Sequence, residues 1–418
     1  MATTITGTSV TSDGLVTNTL GTSNLRLGVN AGDSITSGGN YNTVVGDEAG
    51  TAITTGDGNT AVGYAALDAN TTANDNTAVG YSALTANTTG TRNTAVGESA
   101  LVSNTTGVYN SATGYRTLYY NTTADSNTGY GMQALYQNTT GASNTAVGES
   151  ALYNNTTAAN NTAVGQASLA NNTTGANNVA VGKAALYANT TGADNTAVGY
   201  DSLGANTTGG QNTAIGREAG NAITTGAENT FVGYKAGNYL IPTTTGTENT
   251  IIGAYSHASG AAVGGEIVLG RFVRGIATGY FTFGNGNGSS RVYNNFLANA
   301  SWTRVSDERV KKDISTNTDC GLDFINDLRT VTYKFKAPSE LDTSMTEYDS
   351  GITAPKYSEK MYGFVAQEVK AVLDAHNITD FAGHHQIEDG EDNMQGISYE
   401  MFVMPLVKAI QELSTQNA

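Results

Sequence analysis

Ser306 and Lys311 stand five residues apart in the stretch SDERVKKDI, residues 306–314. A serine hydroxyl is a weak nucleophile until a base takes its proton. A lysine whose pKa is lowered by desolvation can be that base. Ser306 and Lys311 are of the types this chemistry needs, but taken alone a serine near a lysine means little. Spacing alone does not join them, because residues i and i+5 do not share a helix face. Asp307 reads equally well as an N-cap for a following turn.

Other chemistry is thin. Glycoside hydrolysis needs two well-placed carboxylates. Acids such as Glu98, Glu149 and Asp201 are scattered with no fixed partner spacing. The adjacent His384 and His385 read as part of a solvated loop. Cys320 is the single cysteine, so no intrachain disulfide forms, and no Cys/His set has zinc spacing. No metal and no cofactor are expected.

The elements that would position Ser306 and Lys311 change character at that border. Upstream, a unit N-T-A-V-G-Y-x-A-L-x-x-N-T-T-G-x-x repeats with its first asparagine at Asn42, Asn59, Asn76 and onward to Asn229, twelve copies at an unbroken spacing of 17. Looser copies begin at Asn24 and Asn249. The N-T-T triplet recurs nine times between Asn70 and Asn206, and a leucine column runs from Leu67 to Leu203 in step. A fixed short period means stacked units, none of which buries its core alone. The T-A-V piece reads as a short strand and A-L as a second apolar point. N-T-T-G reads as the turn, where Asn and Gly tolerate positive φ. Seventeen residues then make one coil with two short strands and two turns. Coils about 4.8 Å apart would give thirteen of them a length of roughly 60 Å. With two or three good core residues per coil, several chains packed in cyclic symmetry would bury more.

Two copies are irregular: Thr113 stands at the valine position of the Asn110 copy, and Tyr130 at that of the Asn127 copy. They read either as sequence drift or as register marks: near-identical rungs let neighbouring chains slip by a whole repeat, and odd rungs would disfavour it. The tyrosines Tyr64, Tyr81, Tyr115, Tyr200 and Tyr234 follow the rung glycine, placed to pack between chains or to stack on sugars. The N-T-T triplets match a glycosylation sequon, but no secretory signal precedes them, which favours the turn reading.

From about residue 260 the repeat fades into short β pieces, GEIVLGRFVRG and TGYFTFGNGNG. Beyond the border helix formers appear. Residues 322–328 read as a helix, 331–336 as a strand, 338–358 as a loop, and 364–375 and 398–415 as helices. The last helix places Phe402, Leu406, Ile410 and Leu413 on one seam, which suits a helix–helix contact.

Composition narrows the class. Of 418 residues 51 are glycine and 4 proline, and only 13% are charged. Glycine at irregular positions excludes collagen. The net charge is −16, with −6 from residues 1–305 (10 basic, 16 acidic) and −10 from residues 306–418 (10 basic, 20 acidic). No basic cluster exists, so no nucleic-acid partner is expected. The start MATTITGTSVTSDGLV carries no secretory signal, and no run of 18 apolar residues predicts a membrane helix, so no membrane insertion is expected.

Two resemblances follow from these motifs. The N-T-A-V-G units over roughly residues 24–255 resemble the head repeats of trimeric autotransporter adhesins, which implies parallel trimers. Neither the secretory signal nor the C-terminal membrane barrel of those adhesins is read in these residues, so an autotransporter is not expected. Residues 306–418 resemble the C-terminal intramolecular chaperone domain of phage tail spikes and tail fibres of endosialidase type. The opening S-D-x-R-x-K matches Ser306 to Lys311, with Ile314 following. Tyr362 to Val369 match as YGFVAQEV, and Tyr399 through Leu413 match the closing tyrosine and amphipathic helix. The second resemblance implies a homotrimer whose C-terminal domain directs folding of the fibre. That domain then cuts itself off between Val305 and Ser306, a single-turnover serine autoproteolysis with Ser306 as nucleophile and Lys311 as base.

The expected fold is thus mainly β: a trimeric β-solenoid or β-roll fibre of 17-residue repeats, followed by a small α+β chaperone domain ending in a helix. The expected division is an N-terminal segment 1–23 that docks the fibre, a repeat fibre 24–258, a β-rich neck 259–305 and a chaperone domain 306–418. The expected role is a virion tail fibre, made in the host cytoplasm, that binds a host cell-surface glycan or protein receptor and joins phage tail or baseplate proteins. A glycan-degrading tail spike would need the paired carboxylates described above. A bacterial surface adhesin would need a secretory signal and an anchor.

Overall fold

The computed structural model describes residues 21–286, 291–295, 303–304, 314–341, 343, 348–355, 359–386 and 395–417. The chain divides into two compact units, Met1–Val310 and Lys311–Ala418.

The first unit is a β-solenoid. Each coil contributes one strand of three residues, such as Thr60–Val62, Thr77–Val79 and Thr94–Val96. Successive strands pair in parallel and in register, so that Ala61, Ala78 and Ala95 stack. The middle residue is fully buried while the flanking residues face outward, as the period-two alternation of a strand requires. The strand stops at a glycine. Gly63 has φ +132°, and a Cβ there would come 2.4 Å from the carbonyl oxygen of Gly80 in the next coil.

The second half of the coil differs from the sequence expectation of a second strand. Ala65 and Leu67 take positive φ, 49° and 54°, and the same alternation recurs coil after coil. A left-handed leucine costs of order 1–2 kcal/mol. Its compensation is visible: Leu67 is fully buried, and its N–H donates to the carbonyl of Ala83 one coil on at 3.0 Å. The sequence placed positive φ on the N-T-T-G asparagine and glycine. It falls instead on the leucine, on the residue two before it, and on the residue before the first asparagine, such as Asp75 at 60°. The N-T-T-G glycine is needed for closeness: a Cβ on Gly90 would meet the carbonyl oxygen of Gly107 at 2.3 Å.

The asparagines form the polar half of the core. In the first column, the Asn59 N–H donates to Asn42 Oδ1 at 2.9 Å, and Asn59 Nδ2 donates to the Ala73 carbonyl at 3.0 Å. In the second, Asn87 Nδ2 donates both to Asn70 Oδ1 and to the Gly90 carbonyl, each at 2.9 Å. The two columns meet on one acceptor: Asn127 Nδ2 and Asn138 Nδ2 both donate to the Gly141 carbonyl at 2.9 Å. These asparagines are fully buried, a position polar side chains hold only when hydrogen-bonded. The N-T-T asparagine is therefore a core ladder residue rather than a surface turn residue. The second ladder ends where the next coils place Ile53 and Ile223 in its column. Asn206 Oδ1 is consequently buried without a partner among the described residues.

The irregular coils compensate one another. Thr117 replaces alanine in the core, and Gly129 replaces the strand alanine beside it. A Cβ on Gly129 would lie 2.5 Å from Thr117 Cγ2. The Thr117 hydroxyl donates to the Gly131 carbonyl at 2.6 Å.

The coil pattern also runs on past the point where the repeat fades. Glu266 takes the asparagine position, and its N–H donates to Asn249 Oδ1 at 3.1 Å. Its buried carboxylate accepts from the Ser259 N–H at 2.8 Å and the Ser259 hydroxyl at 2.5 Å. Strand Ile267–Arg271 adds in parallel to Thr250–Ile252, and Tyr280–Asn285 adds in parallel to that. Arg291–Asn295 and Thr303–Arg304 then pair antiparallel. The clue in the sequence was E-I-V-L-G at residues 266–270, 17 after Asn249.

The second unit is α+β. Helix α1 spans Leu322–Asp327, α2 spans Ala366–Ala375 and α3 spans Val403–Gln416. Strands Val331–Tyr333 and Met361–Gly363 pair antiparallel, as do His384–Gln386 and Gln395–Ile397. The His384–His385 pair thus lies on a short strand rather than in the expected loop. His384 Nε2 sits 3.0 Å from Gln395 Oε1. The core is Phe324, Val369, Leu373, Ile378 and Phe402 with Cys320 at its edge.

Candidate functional site

Ser306 and Lys311 lie outside the described residues, as does the junction Val305–Ser306 that they would cut. The structure describes the frame that follows them. The Y-G-F-V-A-Q-E-V stretch and the closing tyrosine, 35 residues apart, form one joint. The Tyr399 hydroxyl accepts the N–H of Phe364 at 3.0 Å. That approach requires a glycine, since a Cβ on Gly363 would lie 2.1 Å from the same hydroxyl oxygen. Phe364 stacks on Tyr399 with ring centroids 5.8 Å apart and packs on Phe402 at 5.1 Å. Glu368, in the first turn of α2, receives Arg329 Nε at 3.0 Å and is held below the ordinary carboxylate range by that bond. Val369 and Leu373 turn the opposite face of α2 into the core.

A second joint ties the last helix to the first. Glu412 on α3 accepts the Leu322 N–H at 2.7 Å, capping the open N-terminus of α1. Gly321 makes room: a Cβ there would lie 2.3 Å from Glu412 Oε2. The Leu322 N–H, with Lys408 Nζ at 3.1 Å, holds the Glu412 carboxyl below its usual range. Cys320 is buried beside this joint, and burial first, then Asp319 and Asp380, push its thiol pKa up. A thiol so placed is a poor nucleophile.

The seam expected on the last helix divides between two faces. Phe402, on a 3₁₀ turn ahead of α3, enters the core with Pro405 and Ala409. Leu406, Ile410 and Leu413 stay exposed, joined by Val403 and Val407. Ile410 is 65% exposed, and with these neighbours it forms a contiguous apolar face rather than a scattered single residue. The sequence missed Pro405, Ala409 and the Glu412 cap, since a carboxylate one turn from Lys408 reads as an ordinary surface ion pair.

On the solenoid, Tyr64, Tyr81, Tyr115 and Tyr200 are exposed, and Tyr64 stacks on Tyr81 with centroids 5.2 Å apart. Among the described residues no cluster of three His, Cys, Asp or Glu side chains could hold a metal, and no helix is long and apolar enough to cross a membrane.

Comparison with known proteins gives one assignment. Residues 306–378 match the family model described as chaperone of endosialidase. Neither the curated proteins nor the solved structures compared with the chain give a match. The match begins at Ser306 and includes Gly363 and Phe364, the Arg329–Glu368 pair and all of α2, while Tyr399 and α3 lie beyond it. A β-solenoid of 17-residue repeats followed by a chaperone-of-endosialidase region makes this chain fit an endosialidase-type fibre.

Proposed function

We propose that the chain is a tail-fibre or tail-spike subunit that works as a homotrimer, with a C-terminal domain that starts three chains in register and then releases itself. The observation that carries this reading is the family match immediately behind the solenoid. Two unpartnered apolar faces support the trimer. One is the α3 face of Leu406, Val407, Ile410 and Leu413. The other is the outward column of strand residues Val181, Val198, Ile215, Ile252 and Leu269, each between 37% and 44% exposed. Contiguous exposed apolar surface of this kind is covered in an assembly.

The physical need is clear from the coils. Near-identical rungs pair equally well with the wrong neighbour, so register must be set from outside the repeat. A terminal trimerisation domain sets it once, and coils then add by nearest-neighbour contacts. Release follows by attack of the Ser306 hydroxyl on the Val305 carbonyl carbon. Lys311 takes the serine proton and passes it to the α-nitrogen of Ser306 as the Val305–Ser306 C–N bond breaks, leaving Val305 as an ester on Ser306 Oγ, and water then hydrolyses that ester to the Val305 carboxylate and the free hydroxyl. Once the template has left, the fibre persists by a high unfolding barrier. The fibre would be carried on a virion, held there by phage tail or baseplate proteins and turned toward a host-surface glycan or protein receptor.

The test is the solution mass of the full chain bearing Ser306→Ala, measured by light scattering. A trimer near three times 43.1 kDa is expected. A monomer at micromolar concentration would overturn the reading.

A further inference from the structure

One column of the solenoid surface carries tyrosine in consecutive coils: Tyr119, Tyr136 and Tyr153. Their rings stack, with centroids 5.3 Å and 5.0 Å apart. The next coil places Ala170 in this column, and the one after restores Tyr187. The missing ring leaves a cleft of about 440 Å³ between Tyr153 and Tyr187, with Ala170 at its floor. Two coil spacings put those tyrosines roughly 10 Å apart along the solenoid. A ring seated in the gap would lie about 5 Å from each, inside the range of aromatic ring contact.

The rim fixes what kind of ring. Asn154 Nδ2 donates to Asn171 Oδ1 at 3.1 Å. Asn154 Oδ1 and Asn171 Nδ2 have no further partner among the described residues, and Gln133 and Ser150 also line the cleft. Acceptors and donors thus edge the slot, and no charged side chain lines it. A saturated ring with C–H groups on its faces and hydroxyls around its edge uses both features. The negative faces of the tyrosines attract the C–H groups, and the amides pair with the hydroxyls. A flat apolar ring would leave the amides unanswered, and an anion would find no positive charge.

We propose that the Tyr153–Ala170–Tyr187 slot binds a neutral pyranose unit of a glycan. The proposal rests on the reading of the solenoid as the receptor-facing part of the fibre, and it names the receptor chemistry.

The experiment is saturation-transfer NMR on the full chain with methyl glycosides of glucose, galactose, mannose and N-acetylglucosamine. Wild type should transfer saturation to at least one of them. Ala170→Tyr completes the column already present in three coils, so the fold is kept while the slot is filled. It should weaken binding at least tenfold, as should Tyr187→Ala, while Tyr81→Ala should change nothing. No transfer from any of the four glycosides to wild type would overturn the proposal. So would equal binding by wild type and Ala170→Tyr, which would put the sugar elsewhere on the fibre. Trimer mass is measured on the same samples, so failure of the fibre reading is seen separately from failure of the slot.

Discussion

Asn138 and Asn206 occupy the same column of the solenoid core, yet their loss should cost very different amounts. Asn138 Nδ2 donates to Asn121 Oδ1 and to the Gly141 carbonyl at 2.9 Å each, and its Oδ1 accepts Asn155 Nδ2 at 2.8 Å. Truncation to alanine strands Asn121 Oδ1 and one Asn155 N–H in a buried column. The Gly141 carbonyl keeps its bond from Asn127. Two stranded groups and one further lost bond sum to about 4 kcal/mol. Asn206 also donates twice, to Asn189 Oδ1 and the Gly209 carbonyl at 2.9 Å. Its own Oδ1, however, is already unpaired beneath Ile223. Truncation there strands one acceptor and removes another, so the net cost is about 1 kcal/mol. Amide hydrogen exchange of the full chain, read by mass spectrometry coil by coil, measures this as local opening. Asn138→Ala should speed exchange in its own and adjacent coils about a thousandfold, and Asn206→Ala about fivefold. Equal acceleration by the two variants would refute the ladder as the source of core stability.

Gly129→Ala should destabilise its coil by about 1–3 kcal/mol through overpacking against Thr117, and Thr117→Ala in the same chain should restore it; a double-mutant cycle by hydrogen exchange reads the coupling. Leu406→Asp with Ile410→Asp should turn trimer into monomer by light scattering, yet leave the secondary structure of residues 311–418 intact, because Phe402, Pro405 and Ala409 carry the core contacts. Glu412 has a carboxyl pKa depressed in the folded state, so its contribution is present above the ordinary carboxylate range and is lost as pH falls through its folded value. Glu412→Gln should therefore flatten the acid limb of C-terminal unit stability, measured by thermal melts between pH 7 and pH 3.

How far the sequence reached can be seen in particular residues. The period of 17 was legible because every coil stacks on its neighbour, so a residue's partner is its own repeat. Helices α1, α2 and α3 were legible from apolar periodicity. The asparagine ladders were not, because Asn and Gly in a repeat read first as turn formers. Only stacking shows that N-T-T asparagines face one another across coils rather than water. The left-handed leucines escaped for a related reason: local preference disfavours them, and coil-to-coil hydrogen bonds override it. The Tyr399–Gly363 joint was visible as two motifs, but the reason for the glycine needs the hydroxyl beside it. Ser306 and Lys311 remain a reading of sequence and family match, since they lie outside the described residues.

The self-release of the C-terminal domain is tested most directly by the denatured intact mass of purified wild-type chain beside Ser306→Ala and Lys311→Met. Scaling 43.1 kDa over 305 and 113 of 418 residues gives pieces of roughly 31 and 12 kDa. Both pieces are expected in wild type, with the smaller beginning at Ser306, and one full-length chain in each variant. A single full-length chain in wild type, or cleavage that survives Ser306→Ala, would contradict self-release.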